Sequence, residues 1–290
     1  MSGVRLVHLS DLHFGAHADL AQIGALERLI PELAPSAVVI SGDLTQRARH
    51  GEFQRALAFI EHCRRTAPVL VVPGNHDVRW WSSPFGIRGE RPKYHHFRRY
   101  LGEALGPVLE IPGAIIVGTV SANGLSFGSV TRNPRDLTVK GHLPESELER
   151  ARIAFSRVSP MDCRVLVLHH NVVRGKISNR WGLARPEATQ RAIIESGTDL
   201  VLCGHDHEEQ IALLKRADPS TSLGAGSQAG GRAVVVSQSG THTDMTRGKR
   251  PSVFNLIYIS PEEIGVRFMR WNGLSFEPGG EENFARQRRS

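Results

Sequence analysis

The chain has 290 residues with 36 basic and 29 acidic side chains, a formal net charge of +7, and a hydrophobic fraction of 40%. This apolar fraction is too high for a disordered chain, and no apolar run approaches the roughly 18 residues that a membrane-spanning helix needs. The three cysteines are widely separated, which excludes a disulfide framework or a paired zinc motif. We therefore expect a globular, cytoplasmic protein whose basic balance favours anionic ligands.

Short apolar runs alternate with helical patterns over the first two thirds of the chain. The runs predict strands at 4–9, 37–40, 69–72, 114–117, 165–168 and 200–202. Helices are expected between them, near 20–33, 53–61, 144–157 and 186–196. This alternation predicts an α/β fold with a largely parallel sheet that is covered on both faces. Three further strand patterns, at 234–236, 253–259 and 265–271, have no helix between them and predict antiparallel pairing.

The domain organisation is expected to be simple. We predict one domain over residues 1–272, followed by a C-terminal tail over 273–290. Residues 79–99 are basic and aromatic, and their length favours a functional, cap-like loop. Residues 218–231 are rich in Gly, Ser and Ala and predict a flexible loop between strands.

Ionisable and amide side chains stand at the ends of five predicted strands. They form the groups Asp11 with His13, Gly42-Asp43, Asn75-His76-Asp77, His169-His170, and His205 with His207. In open α/β sheets, ligands bind at the carboxyl ends of the strands. The five groups are therefore expected to face one crevice.

The spacing within these groups suits metal ligation. Side chains two residues apart in an extended segment point the same way, so Asp11 and His13, like His205 and His207, are expected to reach one centre. Carboxylates and imidazoles crowded together need cations between them, and mixed nitrogen and oxygen donors without thiolates favour Mn²⁺, Fe or Zn²⁺. Each motif alone is weak, but the ordered set predicts a metal centre.

The ordered motifs D-x-H, G-D, G-N-H-D, H-H and G-H-x-H, which run from Asp11 to His207, resemble those of the calcineurin-like metallophosphoesterases. The resemblance covers most of the chain. It implies a four-layer α/β/β/α sandwich of two mixed sheets, with two divalent metal ions at the carboxyl ends of the strands. The expected reaction is phosphoester hydrolysis by attack of a hydroxide that bridges the two metals.

The resemblance also implies roles for individual residues. One metal is expected on Asp11, His13 and His207, and the other on Asn75, His169 and His205, with Asp43 bridging both. His76 is expected beside the scissile phosphate as proton donor or charge stabiliser, and Asp77 is expected to orient its ring. Basic residues that are candidates for contacting a further substrate phosphate are Arg88, Arg91 and Arg174.

The substrate is less constrained by the sequence than the reaction. The compact chain resembles bacterial class III cyclic-nucleotide phosphodiesterases and glycerophosphodiesterases, although Asn171 stands where those subgroups commonly have proline. A small phosphoester such as a 3′,5′-cyclic nucleotide is the leading expectation. The alternatives are a UDP-sugar-lipid pyrophosphate hydrolase, a less favoured nuclease, and a metal-binding scaffold with an idle site. The sequence does not predict the oligomeric state.

Overall fold

A computed structural model describes residues 3–79, 92–123, 140–215 and 233–286. Its strands are β1 (Val4–Leu9), β2 (Ala37–Ile40), β3 (Val69–Val71), β4 (Val108–Ile111), β5 (Ala114–Gly118), β6 (Cys163–Val167), β7 (Leu200–Cys203), β8 (Gln210–Lys215), β9 (Ala233–Gln238), β10 (Val253–Ile259), β11 (Glu263–Trp271) and β12 (Phe276–Ala285). Its α-helices are α1 (Leu20–Leu33), α2 (His50–Arg64), α3 (His95–Leu101), α4 (Glu145–Phe155) and α5 (Pro186–Glu195).

The strands form two mixed sheets. The first has the order β12-β11-β10-β1-β2-β3, in which β1, β2 and β3 are parallel and the others antiparallel. The second has the order β4-β5-β6-β7-β9-β8, with β5, β6, β7 and β9 parallel between two antiparallel edge strands. The parallel strands lie at the centre of the second sheet, whereas in the first sheet they form one half and end at the edge strand β3.

Alternating side chains on each strand divide the core into layers. On β1, Leu6 packs between the two sheets with Ile116 and Val165, whereas Val7 faces the helical side of the first sheet with Leu26. A third cluster packs α4 and α5 on the outer face of the second sheet. The four-layer α/β/β/α sandwich is therefore confirmed.

Local signals fix where the first helix begins and ends. The Asp19 side chain accepts hydrogen bonds from the backbone N–H groups of Ala21 and Gln22, which caps the first turn of α1. Ile23 and Ile30 then lie on its buried face. The helix ends where Ala34 adopts a left-handed conformation. None of the helices among the described residues is long and apolar enough to cross a membrane.

The expected C-terminal tail is wrong for most of its length. β12 pairs antiparallel with β11 along the edge of the first sheet, and Phe276 is buried against Phe254 with ring centroids 5.2 Å apart. Sequence analysis did not predict this strand because its other side chains are largely exposed. Pro278 and the two glycines that follow it also obscure a strand pattern.

The cap-like loop also ends earlier than expected. Residues from His95 onward form α3, because Phe97 is buried and packs edge-on against Phe53 of α2, with ring centroids 6.4 Å apart. Residues 80–91, and the whole of the predicted flexible loop 218–231, lie outside the described residues. Both loop expectations remain predictions there.

His242 is a buried titratable group that packs beside Phe254 and Phe276, with its ring centroid 5.6 Å from that of Phe276. Neither of its ring nitrogens has a hydrogen-bond partner among the described residues. Burial lowers the pKa of His242 to about 4, and the nearby Asp11 and Asp19 only partly oppose this. The fold therefore favours the neutral ring over the protonated one.

We expect this histidine to make the protein sensitive to acid. The unfolded chain takes up a proton near the ordinary pKa of 6.5, before the folded chain does. Stability is therefore lost as the pH falls from about 6.5 to about 4, by about 3 kcal/mol in total. In urea unfolding at several pH values, His242→Phe should remove this part of the pH dependence. An unchanged slope in the variant, compared with the exposed control His95→Phe, would contradict the assignment.

Candidate metal centre

Five loops meet at the carboxyl edges of the two sheets, as the sequence predicts. The loops after β1, β2 and β3 come from the first sheet, and those after β6 and β7 come from the second. They bring together all seven residues expected as metal ligands, which are Asp11, His13, Asp43, Asn75, His169, His205 and His207. The centre therefore lies across the junction between the sheets.

A first donor group consists of Asp11, His13 and His207. The Nε2 atom of His207 lies 3.4 Å from Oδ1 of Asp11, and the Nε2 atom of His13 lies 3.7 Å from the same oxygen. The two Nε2 atoms are themselves 3.1 Å apart. Three donor atoms thus surround one small volume.

A second donor group consists of Asp43, Asn75, His169 and His205. The Nε2 atom of His169 lies 3.2 Å from Oδ2 of Asp43 and 3.0 Å from Oδ1 of Asn75. The Nδ1 atom of His205 is also 3.0 Å from that Asn75 oxygen. Oδ2 of Asp43 lies 3.7 Å from Nε2 of His13, so this carboxylate adjoins both groups.

The donor set fits two divalent cations. Oδ1 of Asp11 is buried and accepts no hydrogen bond from the described residues, although an unsatisfied buried carboxylate oxygen is costly. Imidazole nitrogens converge on this oxygen and on Asp43, and none of the donors is a thiolate. Such mixed nitrogen and oxygen donors suit first-row divalent metals.

Charge interactions within the centre keep both carboxylates ionised. Burial alone would raise the pKa values of Asp11 and Asp43, but the surrounding histidines hold both well below the ordinary range. Burial lowers the pKa of His169, yet the adjacent Asp43 raises it to about 9. Burial and the neighbouring His169 lower the pKa of His205 to about 3. The two carboxylates are therefore ionised and available to bind a cation.

Backbone carbonyl groups orient two of the rings. Nδ1–H of His169 donates to the Ser41 carbonyl at 2.9 Å, and Nδ1–H of His207 donates to the Met245 carbonyl at 3.0 Å. Each bond directs the opposite nitrogen, Nε2, into the centre. His205 presents Nδ1 instead. Sequence analysis could not find these acceptors, because every residue has a carbonyl group.

The expectation that extended backbone aligns the ligand pairs is wrong. Asp11, His13, Asp43, His205 and His207 have φ angles of 53°, 43°, 51°, 76° and 55°. Left-handed conformations are uncommon for residues other than glycine and cost about 1–3 kcal/mol each. The donors therefore converge through strained turns that the rest of the fold maintains.

Two glycines allow the loops to approach one another closely. A Cβ atom at Gly74 would overlap the side chain and backbone of Asp43, and one at Gly204 would overlap the Ser10 side chain. Any other residue at these positions would push the loops apart. The glycines in the G-N-H-D and G-H-x-H motifs are thus required by the shape of the centre.

His76 lies at the edge of the centre, as expected. Its backbone N–H donates to Oδ1 of Asp43 at 2.8 Å, and its ring lies edge-on to His13 with centroids 4.8 Å apart. Nδ1–H donates to the Gln46 carbonyl at 2.8 Å. A ring nitrogen of His76 is also within 4.8 Å of donor atoms from His13 and Asp43. The imidazole is therefore fixed where it can exchange a proton with a molecule at the centre.

The expected role of Asp77 is not supported, because the Gln46 carbonyl orients His76 instead. The Asp77 carboxylate accepts hydrogen bonds from the backbone N–H groups of Leu44, Thr45 and Gly74 at 3.1, 2.9 and 2.9 Å. It also accepts one from the Thr45 hydroxyl at 2.8 Å. Burial and the nearby Asp43 raise its pKa to about 6. Asp77 thus joins the loops after β2 and β3.

We expect Asp77→Asn to lower stability more than it changes the chemistry. The amide offers one oxygen where the carboxylate offers two, so buried donors lose a partner at a cost of about 1–3 kcal/mol. Urea unfolding measures this loss, and Asp162→Asn at a partly exposed turn is the control. A fall in kcat as large as that of a His76 variant, with unchanged stability, would instead indicate a direct role in the reaction.

The remaining expected residues are the three arginines that are candidates for contacting substrate, and His170 beside the ligand His169. Arg88 and Arg91 lie outside the described residues. Arg174 is exposed, and its Nε–H donates to the Asn179 carbonyl at 3.0 Å. His170 supports the centre, since its ring packs 4.5 Å from that of His205 and its Nδ1 atom lies 2.9 Å from the Ser121 hydroxyl. Ser121 belongs to no sequence motif and was not expected.

The two mixed sheets and the donor groups at their carboxyl edges define a metal-binding α/β sandwich. The chain belongs to the calcineurin-like phosphoesterase family, whose profile matches residues 4–209. No curated protein sequence matches the chain.

Solved structures share the fold at low sequence identity. Purple acid phosphatase PPD1 from yellow lupin (Lupinus luteus) seeds is 12% identical, with a TM-score of 0.64 over 98% of this chain and 54% of that one. PhoD is 10% identical, with a TM-score of 0.64 over 98% and 70%. GAP50 of Plasmodium is 11% identical, with a TM-score of 0.56 over 100% and 90%. The chain thus spans about half the length of the lupin phosphatase.

Proposed function

We propose that the protein is a phosphodiesterase for small phosphodiester substrates that uses two divalent metal ions. Asp11, His13 and His207 would hold one ion, Asn75, His169 and His205 would hold the other, and Asp43 would be shared between them. The observation that carries this proposal is the position of Oδ2 of Asp43, which is 3.2 Å from Nε2 of His169 and 3.7 Å from Nε2 of His13. One carboxylate oxygen therefore adjoins both donor groups.

The chain's own residues prepare the reaction. Two bound cations would supply an activated water molecule and neutralise charge on the phosphate oxygens. His76 is held by the Gln46 carbonyl through Nδ1–H, so its other nitrogen, Nε2, can donate a proton to the departing oxygen. The strained turns fix the donors before substrate binds, which limits reorganisation during the reaction.

A 3′,5′-cyclic nucleotide is the specific substrate we propose. It is a small diester whose leaving oxygen is a poor leaving group, and such a group benefits most from proton donation by His76. A pyrophosphate-linked lipid and single-stranded nucleic acid are the other substrates that this centre would accept chemically. They are tested beside the cyclic nucleotide.

Hydrolysis by protein reconstituted with Mn²⁺, Fe²⁺ or Zn²⁺ tests the proposal. The substrates are bis(p-nitrophenyl) phosphate, p-nitrophenyl phosphate, 3′,5′-cyclic AMP, glycerophosphodiesters, a UDP-linked lipid and single-stranded DNA. We expect turnover of the aryl diester above that of the monoester, loss of activity with a chelator, and recovery when the metal is restored. Metal-loaded protein that hydrolyses none of the diesters would refute the proposal and indicate a scaffold.

A further inference from the structure

A group of basic side chains lies on two loops beside the metal centre. We call these residues the basic rim, and they are Arg174, Lys176, Arg180, Arg247, Lys249 and Arg250. One loop follows β6, which ends just before His169, and the other follows β9. The proposed metal ligation and proton transfer use none of these residues.

The second loop is bonded directly to a proposed metal ligand. Nδ1–H of His207 donates to the Met245 carbonyl at 3.0 Å, and the backbone N–H of Arg247 donates to the His207 carbonyl at 3.4 Å. The Arg247 side chain also donates through Nε to the Asp206 carbonyl at 2.9 Å. Asp206 lies between the ligands His205 and His207. The position of this loop is therefore tied to that of the metal centre.

The first loop is hydrogen-bonded to the segment that contains the ligands His205 and His207. The backbone N–H of Ile177 donates to the Glu208 carboxylate at 2.8 Å, and the Ser178 hydroxyl donates to the Asp206 carboxylate. Gly175 and Arg180 close this loop through a backbone hydrogen bond of 2.9 Å. The side chain of Ile177 reaches to within van der Waals distance of the Gly248 position. The two loops thus form one continuous rim.

Two acidic groups under the rim, Asp206 and Glu209, are paired with arginines, whereas Glu208 accepts the Ile177 hydrogen bond and has no arginine partner among the described residues. Asp206 pairs with Arg247 at 3.3 Å, and Glu209 pairs with Arg250 at 3.3 Å and with Arg270 at 3.2 Å. These acids are buried, whereas the side chains of Arg247 and Arg250 stay 41% and 48% exposed. Guanidinium N–H groups therefore remain accessible from solvent.

The other four rim cations, Arg174, Lys176, Arg180 and Lys249, are exposed and form no ion pair with any described residue. Lys249 follows Gly248 in a turn where both φ angles are positive, 62° and 57°. Such a conformation is costly for lysine, so the rest of the fold must maintain it. The backbone of Lys249 is thus held in place on the rim, and its side chain is exposed to solvent.

We propose that the basic rim binds a second phosphate group, so that a phosphodiester, a cyclic nucleotide included, is hydrolysed more efficiently when it carries a phosphate besides the scissile one. This inference rests on the proposed function, because the metal centre must hold the first phosphate. Arginine and lysine side chains without acidic partners match the charge of phosphate, and guanidinium groups also match its hydrogen-bonding geometry. A nucleotide with a further phosphate and a nucleic-acid strand both supply this chemistry.

A pair of substrates that differ by one phosphate tests the rim. They are the p-nitrophenyl ester of thymidine 5′-phosphate and the same ester with an additional 3′-phosphate. In the wild-type, metal-loaded protein we expect kcat/KM to be about tenfold or more higher for the second compound. In R174E/K249E this ratio should fall toward one. The control R28E/R157E changes the net charge equally at exposed positions away from the rim and should keep the wild-type ratio.

Calorimetric binding of thymidine 3′,5′-bisphosphate and thymidine 5′-phosphate to the metal-loaded protein provides the same comparison without turnover. If no diester is hydrolysed but this binding difference is found, the proposed reaction fails and the phosphate site stands. An equal response to both compounds, or equal losses in R174E/K249E and R28E/R157E, would overturn the inference. Octathymidylate tests whether the second phosphate belongs to a nucleic-acid strand. If it does, octathymidylate should bind more tightly than thymidine 3′,5′-bisphosphate, and the salt dependence of its binding should weaken by about two counterions in R174E/K249E.

Discussion

Replacement of Asp43 by asparagine is expected to lower kcat for a phosphodiester by about 10³-fold or more. The carboxylate adjoins both donor groups, and its backbone lies in a strained turn against Gly74. The asparagine side chain has nearly the same shape as the native aspartate, so the overall fold should survive. It lacks the negative charge that two neighbouring cations require. Metal content measured by mass spectrometry should fall together with kcat.

The control for this variant is Asp162→Asn, which removes the same charge at a turn before β6. Among the described residues, its carboxylate accepts one local hydrogen bond, from the backbone N–H of Ser159 at 3.1 Å. Metal content and kcat should therefore match those of the wild type. If the Asp43 variant keeps two equivalents of metal and full activity, the proposed sharing of this residue between the ions is wrong.

His76→Gln is expected to lower kcat by about 10²- to 10⁴-fold while leaving the metal content unchanged. Glutamine can still approach the Gln46 carbonyl, but it cannot transfer a proton at neutral pH. The imidazole is proposed to act on the departing oxygen and is not assigned as a metal ligand. The effect should therefore separate from that of the Asp43 variant in the metal analysis.

The leaving group makes the His76 experiment more specific. A p-nitrophenolate leaves without a proton, whereas the alkoxide of a cyclic nucleotide needs one, so the alkyl substrate should suffer the larger loss. The exposed His95→Gln is the control, with wild-type rates for both substrates. Equal losses for the two substrates would indicate that His76 stabilises charge and does not donate a proton.

The parallel strands of both sheets and the ligand set could be predicted because buried parallel strands form uninterrupted apolar runs. The polar residues that follow such runs are then conspicuous, as with Asp43 after β2 and His169 after β6. The antiparallel edge strands of the second sheet, β4 and β8, lack this contrast. In β4 only alternate side chains are partly covered, and in β8 Leu213 and Lys215 are exposed.

The local geometry of the centre could not be predicted for a different reason. The family resemblance implied that Asp77 orients the His76 ring. Its carboxylate instead binds Thr45, 32 residues earlier in the chain. Such partners depend on how the loops pack, which short motifs do not encode. The left-handed turns at the ligands likewise result from packing between distant loops.

Each donor group contains residues from both sheets. Asp11 and His13 follow β1 in the first sheet, but their partner His207 follows β7 in the second, 194 residues from His13. A cation bound there would link the sheets much as a disulfide links two strands, closing a very long chain loop. The free energy of unfolding of the sandwich, as well as the proposed activity, would then depend on metal supply, because a ligand that binds only the folded chain stabilises it.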